Sequence, residues 1–388
     1  MKKNRLFLLF LWILSLVGIS FYGGPVSYGF FAMVTMVPVI SWLYLLCVFL
    51  RFRIYQKLDS KSLVCDQTVP FYFTLQNEDY FTYSGVRVSF FSDFCGIHGL
   101  EDNVEYELLP GTGVRKETSL VCRYRGEYEV GIEKVRICDC FRLFQITYRN
   151  KETLRVTVKP NRVQLSGLKS IDGLFATTGE SRQRATEPDV LVRKYVPGDD
   201  VRQMHWKATA ASGELLVRNK VGEEQQGVSI LMSTCRFSKK QTEYLPRENK
   251  ILEAALALAF YFGNKKIPVR TCYLQESMVE IVTDSLDRYD GFYEQISAVS
   301  FSEGNTDEAL FAGTRQSGLM NTGRLVFFLL QKWSAEAAAM AEFLNRNNIP
   351  VVVYVITDSM EEQIHTGRLP GTDIVMIDPD AKLTEVLS

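Results

Sequence analysis

The chain of 388 residues carries almost no net charge: 44 Lys and Arg stand against 45 Asp and Glu. No global field therefore points to nucleic acid. It has only three histidines, so a histidine-based metal or acid–base cluster has little to draw on. No G-x-S-x-G elbow, P-loop or G-x-G-x-x-G occurs, which excludes the visible forms of hydrolase, ATPase and dinucleotide enzyme. Eight cysteines are scattered, at 47, 65, 95, 122, 138, 140, 235 and 272, and none forms C-x-x-C. Cys138 and Cys140, separated by a single residue, do not have the C-x-x-C spacing of a metal clip. The eight read as reduced, mostly buried thiols of a cytoplasmic domain. There is no Asn-x-Ser/Thr acceptor.

Charge is also missing, locally, from two long stretches. Leu6 to Tyr22 and Phe30 to Leu50 contain no Asp, Glu, Lys or Arg, and the Gly23-Gly24-Pro25 loop between them is uncharged. Each run is near the ~17–25 residues that cross a bilayer as a helix. Lys2, Lys3 and Arg5 flank the first, and Arg51, Arg53 and Lys57 the second. The positive-inside rule then puts both ends in the cytoplasm and makes residues 1–57 a two-helix transmembrane anchor. With no charged residue inside either span, an ion pathway has no carrier.

Residues 58–163 alternate in twos. Phe71, Phe73 and Leu75 interleave with Tyr72, Thr74 and Gln76, and Val86, Val88 and Phe90 with Arg87 and Ser89. Turn residues such as Pro110-Gly111 and Arg125-Gly126 separate the runs. Short strands at this spacing predict an all-β sandwich, immunoglobulin-like at most. Residues 164–186 are polar and read as a linker or a loop crossing back over the sandwich.

From 187 to 388 strands alternate with helices. Val228–Met232, Val269–Leu274, Leu325–Leu330, Val351–Ile356 and Ile374–Ile377 read as strands. Glu248–Phe262, Asp284–Val299 and Ala335–Leu344 read as helices. The pattern predicts a doubly wound, mostly parallel sheet.

The densest cluster of unusual residues opens this last region. Val190–Val196 and Leu215–Val221 read as strands, with a Pro197-Gly198 turn and a short helix between them, a crossover of the kind that joins parallel strands. Arg193, Tyr195, Gly198, Asp199, Arg202, Trp206 and Lys207 lie along it, with Asp200 and His205. The basic side chains and the helix start could hold an anionic group. The favoured reading is that Arg202 and Lys207 pair with Asp199, Asp200 and Glu187 while Trp206 plugs a core.

The order R-x-Y-x-x-G-D-x-x-R-x-x-x-W-K, carried by those seven residues, resembles the signature of domain-of-unknown-function family 58 (DUF58). Arg125-Gly126-Glu127-Tyr128, the Asp139–Phe144 turn and Lys159-Pro160 are similar to the run that precedes it, although Cys140 and Arg142 replace the usual Pro and Gly of D-P-F-G-L-F. The resemblance implies a bacterial membrane-anchored protein, partnered by a MoxR-type AAA+ ATPase and linked to von Willebrand factor A proteins; it implies no reaction. It also implies that the C-terminal region is a von Willebrand factor A-like domain. Such domains often bind Mg²⁺ through D-x-S-x-S after the first strand, but here that strand runs into Ser233-Thr234-Cys235 with no acid. No metal and no cofactor are expected; Asp358 and Asp373, near strand ends, read as loop or cap residues rather than as a relocated site.

The expected protein is a multi-domain, membrane-anchored interaction scaffold facing the cytoplasm and not an enzyme. The alternative is an anionic-ligand sensor or uncharacterised enzyme in which Arg193, Arg202 and Lys207 hold the ligand and His205 moves a proton.

Overall fold

The computed structural model describes residues 1–91, 94–100, 104–171, 191–194, 209, 215–219, 227–316, 323–347, 349–358 and 371–387. Two compact units divide at the Lys159–Pro160 bond.

The first unit opens with helices α1 (Lys2–Tyr22) and α2 (Pro25–Arg51). The Gly-Gly-Pro sequence explains the break between them. Gly23 closes α1 in the left-handed region at φ 49, donating its N–H to Ile19 O, and Pro25 starts α2 where its missing N–H costs nothing. Their most apolar 18-residue windows have mean hydropathies of 2.0 and 2.2 and are only 6% and 22% buried. Both helices are long and apolar enough to cross a membrane.

Eleven strands follow among the described residues of this unit. Three sheets hold them. The first has β1 (Arg53–Leu58), β3 (Thr68–Gln76), β7 (Gly113–Cys122) and β5 (Cys95–His98), in that order. The second runs β10 (Gln145–Arg149), β9 (Ile132–Cys138), β4 (Tyr83–Phe90) and β6 (Glu105–Leu108). The third is β2 (Ser62–Val64), β11 (Leu154–Lys159) and β8 (Gly126–Val130). The alternation in β3 does its expected work: Phe71, Phe73 and Leu75 are fully buried and share one apolar cluster with Val86, Val135 and Ile137. At the Asp139–Phe144 turn, Arg142 takes the left-handed conformation at φ 52 that a Gly would otherwise supply. Asp139 secures the turn by accepting from the N–H of Phe141 at 3.2 Å and of Phe144 at 2.6 Å.

One expectation about the cysteines fails. Cys95 and Cys122 form a disulfide. They sit directly opposite each other on the antiparallel pair β5–β7, a proximity set by register and invisible at a sequence separation of 27. The other six cysteines are not disulfide-bonded.

The second unit carries a two-stranded ribbon, β12 (Leu191–Lys194) with β13 (Leu216–Asn219), and one six-stranded sheet. The ribbon corrects the parallel crossover expected for the signature: β12 and β13 are antiparallel, with Arg193 opposite Val217. Both strands were read in place, but their mutual direction is not encoded in either one.

The large sheet has the order β16 (Met278–Thr283), β15 (Val269–Leu274), β14 (Gly227–Met232), β17 (Gly323–Leu330), β18 (Val351–Ile356), β19 (Thr372–Ile377). Only the β15–β16 pair is antiparallel. Along β14, β17 and β18 successive side chains enter two separate cores. Ile230, Phe327, Leu329, Val352 and Tyr354 join α3 (Gln241–Asn264) and α4 (Tyr289–Ser297) on one face. Leu231, Phe328, Leu330, Val353 and Val355 join α5 (Asp307–Gln316) and α6 (Ala335–Arg346) on the other. Continuous apolar runs are what a parallel strand buried on both faces requires. A short α7 (Leu383–Leu387) completes the unit. The stretch read as a linker begins inside this core, where Leu165 and Leu168 are buried and Ser170 hydrogen-bonds Tyr354 at 3.2 Å.

Candidate functional site

In open α/β sheets ligand crevices form outside the carboxyl ends of the strands where the strand order reverses. Here that point lies between β14 and β17: the chain moves from β14 outward through β15 and β16, then returns to β17 and moves the other way. The groups delivered there come from four separate stretches.

β14 runs straight into Ser233, Thr234 and Cys235, and Ser233 and Thr234 are wholly buried. Ser233 N–H donates to Leu329 O at 2.9 Å, extending the ladder by one residue. Thr234 Oγ1 donates to Leu274 O at the end of β15. Ser233 Oγ donates to Asp307 Oδ1 at 2.5 Å. Asp307 is the first residue of α5, where a carboxylate is stabilised by the free N–H groups of the first turn. Burial nevertheless pushes its pKa up, partly offset by the Ser233 hydrogen bond. The strand-end loop thus lacks an acid of its own and receives one from elsewhere in the chain.

The next two residues are held just as firmly. Cys235 bridges to Ser302, and Gln331, following β17, donates its Nε2 to Cys235 O at 2.7 Å. Gln331 is 4% exposed, and its Oε1 has no hydrogen-bond partner among the described residues. Burial, then Asp307, Glu248 and Glu303, push the Cys235 thiol up. Arg236 forms a two-point ion pair with Glu248, at 2.8 and 3.2 Å, and lies 4.1 Å from the Tyr244 ring centre. Glu248 is 1% exposed whereas the Arg236 side chain is 31% exposed, so the carboxylate end of the pair is shielded from water and the guanidinium end is not.

Chemically this arrangement is better at holding than at reacting. Ser233 Oγ is buried and engaged, so it cannot meet a substrate as a nucleophile. A thiol with a raised pKa is a poor thiolate source. Among the described residues no group of three or more His, Cys, Asp or Glu could hold a metal ion. Of the two aspartates considered from sequence, Asp358 pairs with Arg247 and Asp373 lies inside β19. Sequence reasoning found Ser233 and Thr234 but missed Asp307, Gln331 and the Arg236–Glu248 pair; the one available signal was an acid at the start of a helix.

Of the signature residues, Arg193 lies on β12. Tyr195, Gly198, Asp199, Asp200, Arg202, His205, Trp206 and Lys207 lie outside the described residues.

No curated protein matches the chain. Among solved structures, it is similar to the secreted serine protease VesC from Vibrio cholerae at 14% identity and a TM-score of 0.21, covering 37% of this chain and 29% of that one. It is similar to a cohesin module from a family 33 glycoside hydrolase of Clostridium perfringens at 9% identity and a TM-score of 0.17, covering 28% and 96%. At these scores neither likeness defines a shared fold. Residues 191–280, which begin at β12 and end within β16, match the family described as Protein of unknown function DUF58, supporting over that segment the resemblance carried by the signature.

Proposed function

We propose that the protein is a membrane-anchored scaffold whose α1–α2 hairpin spans the bilayer and whose soluble domains face the cytoplasm. In this reading the β-rich domain is an immunoglobulin-like sandwich and the C-terminal domain is von Willebrand factor A-like. The latter engages a MoxR-type AAA+ ATPase, and the complex assembles or remodels another protein. The observation that carries the proposal is the hairpin itself, two long apolar helices left largely uncovered by the rest of the chain. Large exposed apolar surface of that kind needs a lipid or protein cover. Basic residues at both ends of the hairpin and none in its loop favour the cytoplasmic side. The internally paired groups at the β14–β17 crevice favour binding over catalysis.

The test is crosslinking and pull-down of the full-length protein from native membranes, with Arg202→Ala as the comparison. Recovery of an AAA+ ATPase that weakens in the variant supports the scaffold and puts the interface near the signature. A co-purifying small anionic molecule, with no protein partner, overturns it in favour of the sensor or enzyme.

A further inference from the structure

We infer that one end of the β-rich domain is itself seated in the lipid headgroup layer of the bilayer that the hairpin crosses. The inference rests on the reading of α1 and α2 as membrane spans. It starts from strand register. β1 begins at Arg53, immediately beyond α2, and Arg53 pairs with Gln76, which pairs in turn with Gly113 of β7. The turns at 77–82 and 109–112 therefore lie beside the end of α2. Side chains fix them there: Arg51 reaches Asp79 at 2.6 Å, and Tyr44 Oη donates to Thr82 O at 2.8 Å. Asn77 Nδ2 ties the two turns together by donating to Leu108 O at 3.0 Å and Leu109 O at 3.1 Å.

The start of α1 lands on the same end. Cys138 pairs with Gln145 across the 139–144 turn. Asn4 Nδ2 donates to Phe141 O at 2.8 Å, and Arg5 Nε to Leu143 O at 2.6 Å. Both bilayer-boundary ends of the hairpin are thus bonded to one end of the domain, with no spacer that could hold it away from the lipid.

That end carries the apolar groups the domain leaves outside. Among the described residues of β1 to β11 and their turns, the exposed large hydrophobics are Tyr55, Tyr80, Leu109 and Phe141. Tyr80 is 98% exposed, Leu109 59% and Phe141 56%, one on each of the three turns. Tyr55 is two residues into β1, ~7 Å from its start. Arg51 and Arg142, with side chains 66% and 58% exposed, stand beside them. Tyrosine and arginine side by side suit the interface, where rings sit at headgroup depth and guanidinium groups meet lipid phosphates. Among the described residues, the opposite end, where Leu58 pairs with Phe71 and the chain turns through Asp59-Ser60-Lys61, shows no such group. A protein partner could cover an apolar face too, but it would not require the exposed large hydrophobics of the described residues to gather where the membrane helices emerge.

The experiment places the photoreactive residue benzoylphenylalanine singly at Tyr80, Leu109, Phe141, Ser60 and Ile40 in the full-length protein, irradiates native membranes and identifies adducts by mass. Ile40 lies in α2 and is exposed. The expected result is lipid adducts at the three turn positions and at Ile40, and none at Ser60. Lipid adducts at Ile40 with only protein or no adducts at the three turns overturn the inference and leave the anchor standing. Absence of lipid adducts at Ile40 removes the anchor and the inference with it. Lipid adducts at Ser60 equal to those at the turns also overturn it, since the contact would then have no preferred end.

Discussion

Arg51 closes α2 and places its guanidinium 2.6 Å from Asp79, whose side chain is 2% exposed and also accepts the hydroxyl of Tyr83. The two partners are unequal. Arg51 remains 66% exposed, so its half of the pair is screened by water. Asp79 is the buried acceptor that satisfies the Tyr83 hydroxyl, and burial with this bond holds the Tyr83 pKa far above its ordinary value.

Asp79→Ala should therefore destabilise the β-rich unit by about 1–3 kcal/mol, because a buried hydroxyl loses its partner. Arg51→Ala should cost about 0–1 kcal/mol. Thermal melting of the detergent-solubilised protein compares the two. Equal losses would mean that the ion pair, and not the buried hydrogen bond, carries the energy.

Gly131 sits between β8 and β9 at φ +96, with Gln56 against the position a Cβ would take. Gln56 is not free to leave: its Oε1 accepts from Ile132 N–H at 2.7 Å and its Nε2 donates to Glu152 O at 2.7 Å. Gly131→Ala should cost well over ~1 kcal/mol, since strain and a broken bracket add. Gly111→Ala, at φ +65 with open space around it, isolates the strain alone and should cost less. Matching melting temperatures would rule out the bracket.

The Ser233–Asp307 pair makes a pH prediction. An unfolded Asp titrates near ~3.9, and burial raises the folded value above that. As pH rises through ~3.9 the unfolded chain releases a proton that the folded chain still holds, so folding is progressively disfavoured until the folded group has also ionised. Asp307→Asn keeps an oxygen for Ser233 and removes the titration. The stability of the variant minus that of the parent should grow from strongly acidic to neutral pH and then level off. A gap constant across denaturation midpoints from acid to neutral pH would show that Asp307 carries no raised pKa.

Two features pull the sidedness of the β-rich unit in opposite directions. The basic flanks favour the cytoplasm, whereas a disulfide such as Cys95–Cys122 is rare in that reducing compartment. Cys140 is free and exposed and reports on the question directly. On the cytoplasmic reading, a membrane-impermeant maleimide leaves it unlabelled in intact cells and labels it after permeabilisation. Labelling in intact cells would place the unit outside, where the disulfide persists.

Much of the architecture was readable because it is local. Val351–Ile356 is six apolar residues after a proline, and it is a strand over those same residues. The Gly-Gly-Pro break and the uncharged runs gave α1 and α2. What was missed depends on partners far away in sequence. Among the described residues Met278–Thr283 pairs only with β15, at the sheet edge, and its mixed exposure leaves no strong period. α3 starts at Gln241, earlier than its apolar stripe, and runs through Pro246. The site was legible only where it continues a strand, at Ser233 and Thr234. Asp307 arrives from 74 residues downstream, and Gln331 from the end of another strand. Convergence of that kind is a property of topology, not of spacing.

Phe52 is the sole residue between α2 and β1; it is extended, 8% exposed, and packs its ring 6.2 Å from that of Tyr83. A helix and a strand joined through one clamped residue act as a crank and not as a tether. Any change of tilt in α2 must swing the β1–β3–β7–β5 sheet with it, because there is no slack in the chain to absorb the rotation. A single inserted residue at this junction would turn the strand over and present the wrong face of β1 to the core.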